Sequence, residues 1–546
     1  MTADISTVKK YIYLFFLCLL VAVLPLSRYM MSISQFSLMA LWVFEGVDTK
    51  RFKQRVSNSA FLLVLITEIG SSIALQVKKF YRNKPAVIIT SLYLLHLLGL
   101  LYTEDFQWAL KDIRVKLPLL SLPILFSGLP KISRKEMYAV FSVHALAVFS
   151  GTIIVVFNYY QTYSTDIREL YPFISHIRFS LNVVLSIFAI GYIAFQKGFY
   201  PKYVKLSALT IVIWFILFLF IFKALSGIVI FLLISMVLLM TAIFKQKKML
   251  LKIVSFVFLV GIPLLFGRCF VNSYTDHTKV EPIVISELDI VTVNGNRYKH
   301  DTTAYGIEEG RYIGLFLCKK ELIKAWNKVS EISYYKKDKK NQYIRFTLIR
   351  YLNSKNLRKD AEGVSQLSKM DIENIENGIA NYNYTLPLNI KARTDQIVMG
   401  FIEYTEHDNA NRSSVMQRIE YWKTSYNIFS KNPFMGVGTG DVNLAFREEY
   451  KAEQTLLSEA FQLRSHNQYM AIAIAFGLFG LIWLLASFII PALLLSAFKD
   501  YLFVIYFLII SFSMLWEDTL ETQAGVTFVM FFFSLILFAQ EKYRSA

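Results

Sequence analysis

Two side chains in the last quarter of this 546-residue chain have the types and the setting for group-transfer chemistry. Arg418 falls in 414–431, where apolar side chains recur at helical spacing and Ser414 is the predicted N-cap. A guanidinium binds phosphate bidentately and stabilises charge that develops on it. His466 precedes the apolar run 467–495, and an imidazole with an unperturbed pKa of about 6.5 is a usable general base. Together they favour chemistry on an anionic, lipid-linked substrate at a membrane surface.

A glycine-rich turn separates these two residues. Asn432-Pro433 ends the predicted helix, because proline has no amide and restricts the residue before it. Gly436, Gly438 and Gly440 follow, and glycine adopts positive φ readily. A dinucleotide site is excluded, since that fingerprint follows a strand and opens a helix. A backbone nest for phosphate or sugar is one interpretation, and a tight turn that packs the loop against the membrane is the favoured one.

Further charged residues stand at the ends of apolar runs. Arg178 begins the run 176–196, where a charge is costly unless it is used, and snorkelling to the interface is the alternative. Lys116, with Arg114 beside it, heads the run 117–129 and is a candidate third phosphate contact. For His466 itself, the alternative to a general base is a hydrogen-bonding cap of the helix that follows.

An acidic turn precedes the last apolar run. Its carboxylates, on Glu517, Asp518 and Glu521, could bind a divalent metal or pair with Arg418 or Arg178. A solvated turn between helices is the favoured interpretation. The histidines in or beside the apolar runs have no Cys, Asp or Glu at ligand spacing, so the sequence predicts no metal site.

The composition excludes an ordinary soluble protein. Hydrophobic residues make up 55% of the chain, aromatic residues 16% and charged residues 18%. The charges cluster between apolar runs of about 20 residues, which is the length that spans a bilayer as a helix. The net charge of +18 does not imply nucleic acid, because Lys and Arg between such helices fix their orientation. The chain is therefore predicted to be a polytopic membrane protein.

Charge distribution predicts about twelve crossings with both termini inside. The run 59–77 is flanked by basic clusters that both favour the cytoplasm, so we expect it to lie in the interface; thirteen crossings is the alternative. The predicted parts are a first bundle of about nine crossings in 1–269, a large outside segment in 270–465, and about three crossings in 466–546.

The outside segment is long enough to bury a small core of its own. Alternation in 283–293 before Asn294-Gly295 predicts a hairpin, and 311–317 predicts a further strand. Helical patterns follow in 344–353, 371–382 and 414–431. The predicted fold class is an all-α membrane protein of about 12 transmembrane helices with one large α/β-containing loop domain.

The motifs resemble the O-antigen ligase and polymerase family of bacterial envelope glycosyltransferases. The shared pattern comprises Arg418-xxx-Trp422, Asn432-Pro433-xx-Gly436-xxx-Gly440, and His466-Asn467 with Gly477 and Gly480 in the helix behind. The resemblance implies a protein of the bacterial inner membrane whose large loop lies in the periplasm. It implies transfer of glycan from undecaprenyl diphosphate to a sugar hydroxyl on lipid A-core, without metal or other cofactor.

The resemblance also assigns roles to residues. The family's proposed catalytic histidine falls at His466, and its essential arginines fall at Arg418 and Arg178. Asn467 is a candidate to orient the ring or bind sugar. Trp422 and the three turn glycines support the site.

Two alternatives stay open for the activity. A polymerase that joins lipid-linked repeat units uses the same donor class and the same motifs. A polysaccharide flippase would carry out no chemistry, but such proteins show repeated halves and charges deep in their helices, and neither is visible in this sequence.

Overall fold

The computed structural model describes residues 5–47, 55, 61–162, 167–196, 201–222, 224–245, 249–280, 282–385, 390–411 and 413–541. Contacts divide the chain into two units. The first comprises Met1–Leu238 and Arg418–Ala546, and the second comprises Leu239–Gln417. The hydropathy pattern had predicted boundaries at 269/270 and 465/466.

Within the described residues the chain is mostly helical. The α-helices in chain order are α1 Ile5–Val23, α2 Arg28–Glu45, α3 Phe61–Arg82, α4 Lys84–Leu98, α5 Phe106–Val115, α6 Pro118–Gly128, α7 Arg134–Thr162, α8 His176–Ala194, α9 Lys202–Ile221, α10 Leu225–Lys245, α11 Met249–Thr278, α12 Lys319–Val329, α13 Ile344–Ser354, α14 Ala361–Ser365, α15 Lys369–Glu376, α16 Ile390–His407, α17 Ser414–Lys431, α18 Val442–Ala452, α19 Gln468–Leu494, α20 Tyr501–Trp516 and α21 Gln523–Phe538. The strands are β1 Lys299–Asp301, β2 Ile307–Glu308, β3 Arg311–Tyr312 and β4 Gly314–Leu317.

Among the described residues, seven helices are long and apolar enough to cross a membrane, and three shorter apolar helices accompany them. A multi-pass helical membrane protein follows from these lengths, because a helix needs about 20 apolar residues to span the hydrocarbon layer. The number of about twelve crossings and their orientation remain predictions.

The core of the first unit is built around α21. Every residue from Ala524 to Phe538 is buried, and the helix packs against α6 and α20. A helix that is apolar all round has no face for water and is stable only when it is enclosed. Aromatic rings fill this core; the Phe126 and Phe531 ring centroids, for example, lie 5.8 Å apart.

Helix α3 covers most of the run that was predicted to lie in the interface; residues 59 and 60 are outside the described part. It extends to Arg82 and is itself of membrane length. Glu68 is buried on this helix, and its carboxylate pairs with the Arg55 guanidinium at 2.9 Å. Whether 59–77 crosses the bilayer stays a prediction from charge.

The second unit contains two small antiparallel sheets, β1 with β4 and β2 with β3. The predicted hairpin is confirmed close to its turn, where the Tyr298 amide donates to the Ile290 carbonyl at 2.9 Å and Val291 forms an antiparallel bridge with Arg297. The first part of the predicted strand 283–293 is wrong, since it holds a 3-10 turn at Ile285–Glu287. The Asn294-Gly295 turn is present, and Gly295 donates its amide hydrogen to the Thr292 carbonyl at 2.9 Å.

The predicted strand 311–317 is divided between the two sheets. Its first part, β3, pairs with β2, whereas its second part, β4, pairs with β1. At Gly314 the backbone approaches the neighbouring strand so closely that a Cβ would lie 2.3 Å from the Asp301 carbonyl oxygen. The alternation pattern alone does not reveal this change of partner.

The helices of the second unit enclose a small core, which confirms the prediction that this segment buries one. Trp326, Ile344, Leu348 and Leu352 are among its buried members. The predicted helix 344–353 is confirmed by α13. The predicted helix 371–382 ends early, at Glu376, because the chain turns at Gly378 with φ 74°.

Candidate functional site

Helix α17 carries Arg418. The cap of this helix is Ser413, whose hydroxyl accepts a hydrogen bond from the Met416 amide at 3.5 Å, so the prediction of Ser414 as the N-cap is wrong by one residue. The Arg418 guanidinium donates to the Glu517 carboxylate at 3.0 Å. The side chain of Arg418 keeps 25% of its surface exposed, against 7% for Glu517, so part of the arginine side chain remains accessible from solvent although its Nε is buried.

Arg178 meets the same turn from α8. Its two terminal nitrogens donate to the Asp518 carbonyl at 2.7 Å and to the Thr519 hydroxyl at 3.3 Å. The residue is 8% exposed. Snorkelling is therefore the wrong interpretation, because the guanidinium lies buried against protein oxygen atoms rather than in water.

His466 lies immediately before α19, with a left-handed backbone at φ 44°. Its ring centroid is 5.5 Å from that of Tyr421. Within the part of the chain that the structure describes, no hydrogen bond reaches the imidazole. The helix cap is Asn467, whose side-chain oxygen accepts from the amides of Tyr469 at 3.0 Å and Met470 at 3.1 Å. The cap interpretation of His466 is thus wrong, and Asn467 commits its carbonyl oxygen to the helix.

Glu517 joins these side chains electrostatically. Burial raises the pKa of its carboxyl, while the positive charges of Arg178, Arg418 and a protonated His466 act in the opposite direction. Only 5% of Glu517 is exposed and Thr519 is fully buried. The favoured interpretation of a solvated turn is therefore wrong, and the alternative of pairing with Arg418 is the one the structure shows.

The other end of the turn forms a second charged cluster. The Lys116 ammonium lies 2.6 Å from both Asp112 carboxylate oxygens and 3.1 Å from the Glu521 carboxylate. Arg464 donates to the same Glu521 oxygen at 3.4 Å, and Gln468 donates to the other at 3.1 Å. These contacts tie α5 and the start of α19 to the turn.

Burial and charge act against each other in this cluster. Burial raises the pKa of Asp112 to about 6. Burial acts the same way on Glu521, but Lys116 and Arg464 outweigh it and hold the pKa of Glu521 well below its usual range. Burial opposes the charged form of Lys116, but the carboxylates of Asp112 and Glu521 outweigh this effect and raise the pKa of Lys116. Lys116 is 1% exposed, so we expect it to position the turn, whereas the sequence predicted a phosphate contact.

Lys116→Met should destabilise the protein by about 3–5 kcal/mol, because it leaves two buried carboxylates without their ammonium. Thermal unfolding in detergent would measure the loss. Arg114→Met is the matched control, since Arg114 is exposed on the same helix and should change stability little. A Lys116→Met protein of normal stability that has lost donor binding would show instead that Lys116 contacts the substrate.

The amides of the glycine turn are occupied by protein acceptors. Val437 donates to the Ile474 carbonyl at 2.9 Å, Gly438 to the Ala475 carbonyl at 2.9 Å, and Gly440 to the Thr103 hydroxyl at 2.8 Å. Gly436 donates to the Asn432 carbonyl at 3.1 Å. A phosphate nest needs free amides, so the structure supports the tight packing turn.

The turn fits into a break in α19. Gly477 has φ 64° and ψ −162° inside that helix, and the Leu478 amide donates to the Pro433 carbonyl at 2.7 Å. A Cβ on Gly436 would lie 2.4 Å from the Ala475 carbonyl carbon, and one on Gly477 would lie 2.2 Å from the Phe434 carbonyl carbon. Only glycine permits this approach, so the glycines position α17 against the helix that follows His466.

Trp422 lies one turn after Arg418 on α17 and is half-buried. Its indole N–H is buried, and no described residue accepts a hydrogen bond from it. For metals, the described residues contain no group of three His, Cys, Asp or Glu side chains that could hold an ion. The carboxylates of Glu517 and Glu521 face different cations, Arg418 and Lys116, rather than a shared position.

Sequence reasoning missed Asp112, Arg464 and Gln468. Two local signals were available. Asp112 stands four residues before Lys116, which is the spacing of a helical ion pair. Arg464 stands two residues before the candidate base. Glu521, which accepts from Arg464 and Gln468 and shares Lys116 with Asp112, is remote in sequence, and its contacts are visible only in the fold.

The fold and the charged cluster define a multi-pass helical membrane protein with two arginines and a histidine around one buried acidic turn. A family model described as O-antigen ligase matches residues 367–485. The match contains α17, the glycine turn and the first part of α19, and it confirms the predicted resemblance to the O-antigen ligase and polymerase family over this segment. No curated protein matches the chain.

Proposed function

We propose that this protein is a periplasm-facing glycosyltransferase of the bacterial inner membrane. It moves glycan from undecaprenyl diphosphate to a sugar hydroxyl on lipid A-core. The observation that carries the proposal is that Arg418 and Arg178 both contact the acidic turn, at Glu517 and at the Asp518 carbonyl, and that Ser465, beside His466, donates to the Asp518 carboxylate at 3.3 Å. These are the groups that a transfer from a diphosphate needs: positive charge for the leaving group and a base for the acceptor.

Arg418 is the proposed contact for the donor pyrophosphate. Its side chain is partly exposed, and its guanidinium already pairs with an anion, the Glu517 carboxylate. Phosphate oxygens replace part of that contact when the donor binds, and the planar guanidinium holds them bidentately. Arg178 adds charge from the buried side and fixes the backbone of Asp518 and Thr519.

His466 is the proposed general base. Its imidazole takes the proton of the acceptor hydroxyl while that oxygen attacks the anomeric carbon. The bond from the anomeric carbon to the phosphate oxygen breaks, its electrons stay on undecaprenyl diphosphate, and the configuration inverts. The imidazolium afterwards releases its proton to water. Two arginines carry the leaving-group charge, so the proposed reaction uses no metal or other cofactor.

Reconstitution tests the proposal. The purified full-length protein is placed in liposomes with a labelled undecaprenyl-diphosphate glycan and lipid A-core. We expect the label on lipid A-core, read by mass spectrometry of the lipid products. Label that instead accumulates on longer undecaprenyl-linked chains would identify a polymerase. If the labelled donor crosses the bilayer without transfer of its glycan, the protein is a flippase and the proposal is overturned.

A further inference from the structure

The second unit contains an open pocket of about 610 Å³. It lies beside α12, and its lining includes Asn294, Asn296 and residues of the short helix α14. Small-molecule sites in proteins have volumes of about 300–1,000 Å³, so this pocket has room for one or two sugar units. The family match and the charged cluster of the first unit leave its role unassigned.

One wall of the pocket is a row of lysines. Lys320, Lys324 and Lys328 recur every four residues on α12, so they share a face of the helix. All three are exposed, and no ion pair joins them to another described residue. Three like charges on one wall repel each other, and an anion bound between them relieves that repulsion.

The floor of the pocket is a fixed polar network around Glu321, which is 7% exposed. Its carboxylate accepts hydrogen bonds from Thr292 at 2.5 Å, Asn296 at 2.6 Å and Asn294 at 3.0 Å. The Ala361 amide donates to it at 3.3 Å. Four donors surround the carboxylate, so it is already satisfied and acts as an anchor for the two asparagines.

The Glu321 carboxylate determines which side-chain atoms of the two asparagines remain available to a ligand. A carboxylate only accepts, so Asn294 and Asn296 must turn their NH₂ groups toward Glu321. Their side-chain carbonyl oxygens are then the groups that remain to accept from a ligand. Hydroxyl donors are what such oxygens take, and a sugar carries several.

We propose that this pocket binds an acidic sugar, a saccharide that carries a carboxylate or a phosphate group. The lysine ammoniums contact the anion, and the Asn294 and Asn296 carbonyl oxygens contact hydroxyls. The second unit then selects glycans by their charge. This binding does not depend on the transfer reaction and is measurable without any donor.

The test uses the full-length protein in nanodiscs of zwitterionic lipid. The probes are a hexuronic acid disaccharide, a hexose 6-phosphate, a neutral disaccharide and inorganic phosphate, titrated by calorimetry. We expect the acidic sugars to bind at least about tenfold more tightly than the neutral disaccharide, because one charge-assisted hydrogen bond contributes at least that factor. Comparison of the first two probes shows which anion is preferred.

Two variants probe the wall and the space separately. Lys320→Gln/Lys324→Gln/Lys328→Gln should weaken acidic-sugar binding by at least about tenfold. The matched control, Lys336→Gln/Lys339→Gln/Lys369→Gln, removes the same charge from exposed positions of the same unit outside the pocket lining. Ser365→Trp adds bulk at the pocket edge and leaves the lysines in place, so it should also abolish binding.

Equal loss in both triple variants would overturn the proposal, because binding would then follow net charge alone. Normal binding by the Ser365→Trp protein would overturn it as well, since the pocket would play no part. Inorganic phosphate that binds as tightly as the acidic sugars would show an anion site without sugar recognition.

Discussion

His466→Asn should lower the rate of glycan transfer by about 10²–10⁴-fold, which is the usual contribution of a general base. Asparagine suits the left-handed backbone at this position, where φ is 44°, but it takes no proton at neutral pH. His466→Gln should be nearly as inactive. The amount of protein in the membrane, its thermal unfolding and its binding of donor should stay close to those of the unsubstituted protein.

Asn467→Ala is the matched control for this prediction. It removes the side chain that caps α19 and should cost about 0.5–2 kcal/mol of stability, while the imidazole stays in place. The rate of single-turnover glycan transfer in liposomes distinguishes the two variants, because only the His466→Asn protein lacks the imidazole. If the His466→Asn protein transfers glycan at the normal rate, His466 is not the base, and Glu517 and Asp518 become the candidates.

Arg418→Gln should reduce transfer by about 10²–10³-fold, the typical effect of removing one preorganised group that stabilises developing negative charge. Arg418→Lys should recover only part of the rate, since the ammonium keeps the charge but loses the planar fork. Lys423→Gln is the matched control, because Lys423 is an exposed cation on the same helix. Transfer rates and donor affinity measure the effect.

A second substitution distinguishes catalysis from packing at this position. Arg418→Gln leaves Glu517 buried without its salt-bridge partner, so stability falls as well. The double variant Arg418→Gln/Glu517→Gln removes both charges and should regain much of that stability. Transfer should stay low, because no guanidinium faces the donor. Recovery of transfer together with stability would show that the pair only holds the fold.

The glycine turn shows how far a motif alone can be interpreted. Asn432-Pro433 and the glycines after it predicted a helix end and a turn, and both are present. The hydrogen-bond acceptors of the turn amides are distant in sequence, because they lie on Ile474, Ala475 and Thr103. Those distant acceptors decide that the turn packs against a broken helix rather than binding phosphate.

The features that the sequence alone determined are those that depend on short stretches of the chain. Apolar runs of membrane length require helices in a bilayer whatever surrounds them. The spacing within α17, and the motif residues Arg418 and His466, are likewise properties of short stretches. The class of protein and the resemblance to the O-antigen ligase family were therefore predictable, and they agree with the membrane-length helices and with the match over 367–485. Arg418 and His466 stay predicted site residues.

The tertiary structure alone decided which charges meet. Lys116 and Glu521 are far apart in sequence, as are Arg178 and the Asp518 carbonyl, and each pair forms only when helices pack side by side. Burial then makes pairing obligatory, because an isolated charge in the interior costs far more than one in water. Because of that cost, the acidic turn is a buried, ion-paired segment rather than the solvated connection that the sequence predicted.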